Sequence, residues 1–164
     1  MKAIEFHLAQ LNVGLAKGPI EGPVMAGFKA ALEPINELAD SAPGFVWRLA
    51  TEDGDATAIR PYEDERMMVN MSTWESIETL RAFVYTSGHT AVMRNRKQWF
   101  EQLDLYMVLW WVPAGHEPSV DQAKQRLEHL KRHGPTPYAF TFRASFPHPD
   151  VTEAVVDDEI GCPA

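Results

Sequence analysis

One histidine has the position and the chemistry of a catalytic residue. His89 follows a Ser-Gly pair at the predicted start of a helix, where backbone N–H groups are unpaired and the helix dipole is positive. A neutral imidazole there can act as a general base or ligate a metal or haem iron. The alternative is a terminal histidine that packs against Tyr85 or Trp99. We predict that His89 is catalytic and that Met93, four residues on, lines the same pocket, although methionine at this spacing also suits an ordinary core.

Tryptophans are the second feature of the sequence. Trp110 and Trp111 are adjacent in a predicted strand, so one faces the helices and the other faces the opposite side of the sheet. Together with Trp47 and Trp74 they could form an aromatic wall that suits a flat, hydrophobic ligand. Core packing, including the core of a dimer, is the competing interpretation. We predict that Trp47, Trp99 and Trp111 bind substrate.

Polar side chains also interrupt the predicted strands. Arg48 and Asn70 lie among apolar neighbours, and a buried polar group is costly unless it is paired. Each could anchor an anionic or carbonyl group of a ligand, whereas a salt bridge to Glu5, Glu52 or a partner subunit is the alternative for an arginine. Gln10 and Asn12 on the first strand raise the same two possibilities.

A further histidine, His116, lies in a Pro- and Gly-rich loop between a strand and a helix. Such a loop can present a side chain to a ligand, although proline and glycine also simply shape a turn. We include His116 among the predicted substrate-binding residues.

Several site types are disfavoured by the sequence. His129 and His133 are four residues apart, but charged residues surround them and no His-Glu-x-x-His pattern is present, so we expect no metal site. There is no Gly-x-Gly-x-x-Gly loop and no Gly-x-Ser-x-Gly elbow, and the single cysteine, Cys162, lies near the end. Phosphoryl transfer and serine or cysteine hydrolysis are therefore not expected.

The elements that must position these residues follow from hydrophobic periodicity. Strands are predicted at 4–13, 45–49, 67–73 and 105–112, and helices at 25–39, 77–84 and 90–103. Pro34 should kink or split the first helix, and Ser72 or Thr73 could cap the second. This order is the β-α-β-β-α-β unit of an α+β, ferredoxin-like fold with an antiparallel sheet.

An extra C-terminal helix and a short edge strand at 138–142 follow this unit. The helix begins with a capping box, Ser119 to Gln122, and carries an i,i+4 pair, Glu128 and Arg132. The core helices cover one face of the sheet, and the other face carries large apolar side chains. We therefore expect two subunits to pair these faces and form a homodimeric α/β barrel.

Composition and charge limit the broad function. The net charge of −8 and the absence of a basic patch exclude a nucleic-acid partner. The longest apolar run is far shorter than the roughly 20 residues of a membrane span, and the N-terminus is too polar for a signal peptide, so we expect a cytoplasmic protein. Residues 1–146 are predicted to form a single domain, and the acidic tail at 147–164 is expected to be mobile.

Several motifs together resemble a known family. They are MVNMSTWES at 68–76, FVYTSGH at 83–89, RKQWF at 96–100, LWWVPAGHEP at 109–118, LEHLKRHGP at 127–135 and YAFTF at 138–142. This pattern is similar to the family called domain of unknown function 3291, which is grouped with the dimeric α/β-barrel superfamily. That superfamily also holds antibiotic-biosynthesis-type monooxygenases and haem-degrading enzymes. The resemblance covers about residues 3–146 and implies the fold, while the reaction stays open.

Two functions follow as hypotheses. The first is a monooxygenase-like enzyme that binds a small hydrophobic or aromatic molecule and works with no cofactor or with haem, with His89 as acid/base or axial ligand. The second is a non-catalytic dimeric module that binds a ligand or stabilises an assembly. A pocket that holds His89 together with another polar side chain favours the enzyme. A filled interior with His89 exposed favours the module.

Overall fold

The protein folds around one antiparallel sheet. The structure, a computed structural model, describes residues 3–50, 57, 62–103 and 105–150. Its strands are β1 (Phe6–Ala16), β2 (Phe45–Arg48), β3 (Met67–Trp74), β4 (Phe100–Glu101) and β5 (Met107–Pro113). Its helices are α1 (Ala26–Asp40), α2 (Ile77–Val84), α3 (Ser87–Arg94), α4 (Arg96–Trp99) and α5 (Val120–His133).

The long strand β1 organises the sheet. It pairs with β3 along one edge, and with β5 and the short β4 along the other, while β2 pairs with β3. Every pairing is antiparallel. The order β2-β3-β1-β5, reached through helices after β1 and β3, is that of a ferredoxin-like fold. The predicted fold class is confirmed.

The alternation of side chains along β1 separates two layers. Leu11 and Val13 pack with Leu127 and Leu130 of α5 in one core cluster. On the opposite face, Leu8 packs in a second cluster together with residues of α1 and α2. Helices therefore cover both faces of the sheet.

This coverage corrects the reasoning behind the predicted dimer. The expectation of an uncovered apolar face is wrong for this chain, because the extra helix α5 packs its apolar stripe there. Val69 and Met71 of β3 are buried on that face within a single copy. The homodimer stays a prediction, and an uncovered apolar face of the sheet no longer supports it.

The third predicted helix, 90–103, is interrupted in the structure. Helix α3 ends at Arg94, α4 is a single turn, and the chain becomes extended at Phe100. Asn95 separates the two helices. Hydrophobic spacing did not detect the break because the residues on either side keep apolar positions three and four apart.

Helix ends follow local hydrogen bonding. The cap of α2 is Ser76, which exchanges capping-box hydrogen bonds with Thr79, and not Ser72 or Thr73, because β3 continues to Trp74. The capping box of α5 is confirmed, since the Ser119 hydroxyl accepts from the Gln122 backbone N–H and the Gln122 side chain accepts in return.

Three other local predictions concern Pro34, the pair of Glu128 and Arg132, and the edge strand at 138–142. Pro34 lies inside α1 without splitting it, and Glu128 and Arg132 form their ion pair at 3.4 Å. The predicted edge strand is reduced to two isolated antiparallel bridges, Phe140 with Leu109 and Ala139 with Thr136. Most of the acidic tail, 151–164, lies outside the described residues. No helix in the described part of the chain is long and apolar enough to cross a membrane.

Candidate active site

A cavity of about 410 Å³ lies between the sheet and helices α1 to α3. Its size is within the range of small-molecule sites, roughly 300–1,000 Å³. Among the described residues that line it, six are phenylalanine or tryptophan: Phe28, Trp74, Phe83, Trp99, Phe100 and Phe142. The rings contact one another at angles suited to their quadrupoles, as in the edge-on contact of Phe28 with Phe100 at 4.9 Å between ring centroids.

The sheet supplies a polar floor centred on Gln10. This side chain is only 4% exposed, and its Nε2 donates to Asn70 Oδ1 and to Ser72 Oγ, both at 2.8 Å. Asn12 Nδ2 donates to Gln10 Oε1, and Trp74 Nε1 donates to Ser72 Oγ at 2.8 Å. These bonds satisfy the buried groups and hold the carboxamides in fixed positions between β1 and β3.

The same network leaves hydrogen-bonding capacity on the cavity wall. Asn70 Nδ2 and Asn12 Oδ1 have no hydrogen-bond partner among the described residues. One offers N–H donors and the other an acceptor. Both residues line the cavity, so the floor can bind a carbonyl or hydroxyl group of a ligand.

His89 lies on the helical wall of this cavity. Its Nδ1 is 2.9 Å from the carbonyl oxygen of Val84. A carbonyl only accepts, so Nδ1 carries the proton and the neutral ring has an unprotonated Nε2. Its ring also contacts that of Phe83 at 5.2 Å between centroids.

Burial determines the charge state of this histidine. Desolvation lowers the pKa of His89 below its ordinary value of 6.5, and the hydrogen bond to Val84 opposes the shift. At neutral pH the imidazole is therefore uncharged. An uncharged ring with a free Nε2 is the form that a general base requires.

Two arginines line the cavity, and their surroundings differ. Arg48 donates to Asp40 of α1, with Nε at 2.7 Å from Oδ1 and Nη2 at 3.3 Å from Oδ2. Of the alternatives considered for Arg48, an ion pair is therefore present, but its partner is Asp40 and not Glu5. Glu52 lies outside the described residues.

Arg96 has no carboxylate partner among the described residues. Its Nη2 donates to the Val13 carbonyl at 3.3 Å, and its guanidinium carbon lies 4.6 Å from the ring centroid of Tyr106 and 5.3 Å from that of Phe100. Burial lowers the pKa of Arg96, with Tyr106 opposing the shift. Arginine nevertheless stays protonated in proteins, so a partly desolvated positive charge faces the cavity.

Comparison with models of known protein families identifies the family to which this chain belongs. The model of the family "Domain of unknown function (DUF3291)" matches residues 7–156, nearly the whole chain. The chain belongs to the DUF3291 family. No curated protein matches this DUF3291 chain.

Solved structures with a similar fold share little sequence identity with this chain. SnoaB, described as a cofactor-independent oxygenase from Streptomyces nogalater, is 14% identical with a TM-score of 0.46, over 68% of this chain and 95% of SnoaB. Rv0793 from Mycobacterium tuberculosis is 10% identical with a TM-score of 0.45, over 69% of this chain and 99% of Rv0793. Any function of the DUF3291 chain must therefore rest on the chemistry of its own cavity.

The structure brings five of the eight predicted site residues to this DUF3291 cavity. Those on its lining are Arg48, Asn70, His89, Met93 and Trp99. They come from β2, β3, α3 and α4, elements that are distant in sequence. Their roles stay predictions, but they share one site.

Three predicted site residues lie elsewhere. Trp47 packs against the core on the α5 side of the sheet. Trp111 donates its N–H to the Phe146 carbonyl at 2.9 Å, and its ring contacts His148. His116 is exposed, with Nε2 3.2 Å from Gln122 Oε1. None of the three lines the cavity.

Sequence reasoning missed Arg96 as a site residue. The single helix predicted over 90–103 gives no reason for Arg96 to face the sheet, whereas the break at Asn95 turns Arg96 toward β1. An aromatic residue four positions on, Phe100, is the signal that could have indicated a partly buried arginine, because long cations lie along aromatic rings.

The DUF3291 cavity also bears on haem, which the superfamily resemblance implies. A histidine that binds haem iron needs a free ring nitrogen and a hydrogen bond that fixes the other nitrogen. His89 meets both conditions through Nε2 and the bond to Val84, and Arg96 could pair with a propionate. The residues therefore fit the group. In the described ranges no cluster of three or more His, Cys, Asp or Glu could hold a bare metal ion.

Proposed function

We propose that this protein is a monooxygenase-like enzyme that binds a small hydrophobic, aromatic molecule in the cavity and uses His89 as its general base. The observation that carries the proposal is one cavity that holds His89 together with further polar side chains, Asn12, Asn70 and Arg96. Aromatic walls with a few polar groups are typical of sites for small organic ligands. A purely structural module needs neither the cavity nor the neutral histidine.

The chemistry follows from the state of His89. With Nδ1 held by the Val84 carbonyl, Nε2 is the atom that accepts a proton from a bound phenol or activated C–H group. Loss of that proton leaves an electron-rich substrate anion, which can itself react with oxygen. One base is then sufficient, and the floor carboxamides orient the oxygen atoms of the substrate.

Haem is the alternative source of oxygen chemistry. When bound, haem would supply oxygen activation, and His89 and Arg96 are the residues that would hold it. Titration of the purified protein with haemin tests this branch. A Soret band that is lost in His89→Ala would support haem ligation, and an unchanged spectrum would favour the cofactor-free reaction.

Turnover is tested by oxygen uptake with a panel of mono-, bi- and tricyclic phenols and aromatic ketones, after subtraction of autoxidation. We expect His89→Gln to lower kcat by about 10²-fold or more while the affinity for substrate is largely retained. His116→Gln is the matched control, because His116 is exposed and away from the cavity. Equal activity of the wild type and both variants would contradict the assignment of His89.

Two outcomes would favour the non-catalytic alternative. If cavity ligands bind but no substrate in the panel is consumed, the protein is a ligand-binding module. If neither binding nor uptake occurs, the cavity proposal fails.

The homodimer is a separate proposal, and sedimentation at micromolar concentration tests it. A monomer at that concentration would contradict it.

A further inference from the structure

We infer that the ligand of this cavity is an aromatic molecule that carries an anionic oxygen group, such as a carboxylate, and that Arg96 is the residue that binds this group. The inference rests on the proposed small-molecule function of the cavity and names the class of molecule. It does not depend on whether the ligand is turned over.

The charges around the cavity support an anion. The chain as a whole is acidic, with a net charge of −8. Yet among the described lining residues no side chain is an aspartate, a glutamate or a lysine, and the charged ones are Arg48 and Arg96. Because the described lining carries arginines and no carboxylate, its local electrostatic field favours anions.

The two arginines are not equivalent. Asp40 neutralises Arg48 through two hydrogen bonds. Arg96 makes one hydrogen bond, to a backbone carbonyl, and no ion pair with a described residue. Four of its five N–H groups therefore have no acceptor in the described part of the chain, and a guanidinium is well matched to the two oxygens of a carboxylate.

The surroundings of Arg96 fix the orientation of such a ligand. Its guanidinium lies against Phe100 and Tyr106, which hold the side chain in one place through cation–π contacts. It is bonded to the carbonyl of Val13, next in sequence to Asn12 of the polar floor. A ligand anion at Arg96 would thus have its ring system among the aromatic walls.

A structural role for Arg96 is the competing explanation. The contacts with Val13, Phe100 and Tyr106 would fasten α4 to β1 without any ligand. That role predicts a loss of stability in an Arg96 variant and no difference between charged and neutral ligands. The two explanations therefore separate in a binding measurement.

The test compares two probes of the same shape by isothermal titration calorimetry at neutral pH: 2-naphthoate, which is an anion, and 2-naphthamide, which is neutral. We expect the wild type to bind 2-naphthoate about tenfold more tightly. Arg96→Met should abolish that preference and leave the affinity for 2-naphthamide within about twofold. Arg94→Met removes an exposed guanidinium from the end of α3 and should change neither affinity.

Each result has a defined meaning. Equal binding of both probes by the wild type overturns the anion inference and leaves the cavity function intact. A preference that persists in Arg96→Met overturns the role of Arg96. No binding of either probe at about 1 mM, a free energy of only about −4 kcal/mol, counts against the proposed function itself. If Arg96→Met does not fold, the wild-type comparison and its weakening by added salt still decide whether the ligand is an anion.

Discussion

Replacement of Gln10 by leucine tests whether the polar floor stabilises the fold. Gln10 is buried at the centre of β1 and takes part in three side-chain hydrogen bonds, with Asn12, Asn70 and Ser72. Leucine has a similar volume and cannot form any of them. The change therefore removes the hydrogen bonds while it keeps the space filled.

The magnitude follows from what each partner can do afterwards. Ser72 is 6% exposed, but its hydroxyl oxygen still accepts the hydrogen bond from Trp74 in the variant. The loss of the bond from Gln10 to Ser72 therefore costs little stability. Asn12 and Asn70 line the cavity, where water can replace the lost partner. Three neutral bonds at about 0.5–1.5 kcal/mol each, offset by these replacements and by the apolar leucine, leave a loss of about 1–2 kcal/mol in the free energy of unfolding.

Urea unfolding followed by far-UV circular dichroism measures this loss. Gln98→Leu is the control, since Gln98 is exposed on α4 and its hydrogen bond to Asn95 is on the surface; we expect a change within about 0.5 kcal/mol. A double-mutant cycle with Ser72→Ala should give a coupling energy of about 0.5–1.5 kcal/mol. A Gln10→Leu protein as stable as the wild type would refute the assigned stabilising role.

Two further predictions concern the backbone and the titration of the site. Gly44 has φ +80°, and a Cβ added there would lie 2.4 Å from Thr79 Cβ, whereas Gly115 has φ +89° and open space around it. Gly44→Ala should therefore destabilise the protein by about 1–3 kcal/mol more than Gly115→Ala, and equal losses in urea unfolding would contradict the contact. For His89, NMR titration should give a pKa below 6.5 and a neutral ring protonated at Nδ1, because of burial and the Val84 bond. At low pH the folded state then binds fewer protons than the unfolded state. The contribution of His89 to the free energy of unfolding is therefore complete above about pH 6.5 and is lost as the pH falls toward the pKa of the folded state. In His89→Gln the free energy of unfolding should fall less steeply over the same pH range.

The sequence predicted the fold because periodicity and strand order are local properties. The alternation in β1 and β3 and the spacing of apolar residues in α1 and α2 are sufficient to define the β-α-β-β-α-β order, and the ferredoxin-like sheet follows from it. The capping box of α5 was equally local, since a Ser and a Gln three residues apart satisfy each other's helix terminus.

The composition of the site was only partly accessible from sequence. His89 was found because a polar residue at a helix start has a recognisable local context, and Arg48 and Asn70 because polar residues in apolar strands are unusual. The tryptophans were less informative. Trp111 and Trp47 are apolar enough for any core, and the direction in which each points depends on strand register and on what packs beside it.

Only the tertiary structure decided which polar groups meet and which charges stay unpaired. The break at Asn95 turns Arg96 toward Val13, and the position of α1 pairs Asp40 with Arg48 while leaving Arg96 without a carboxylate among the described residues. The packing of α5 on the second face of the sheet likewise removed the reason for expecting a bare surface there. These features depend on contacts between residues far apart in sequence. Electrostatic pairing and helix docking are set by distances in space, which the spacing along the chain does not determine.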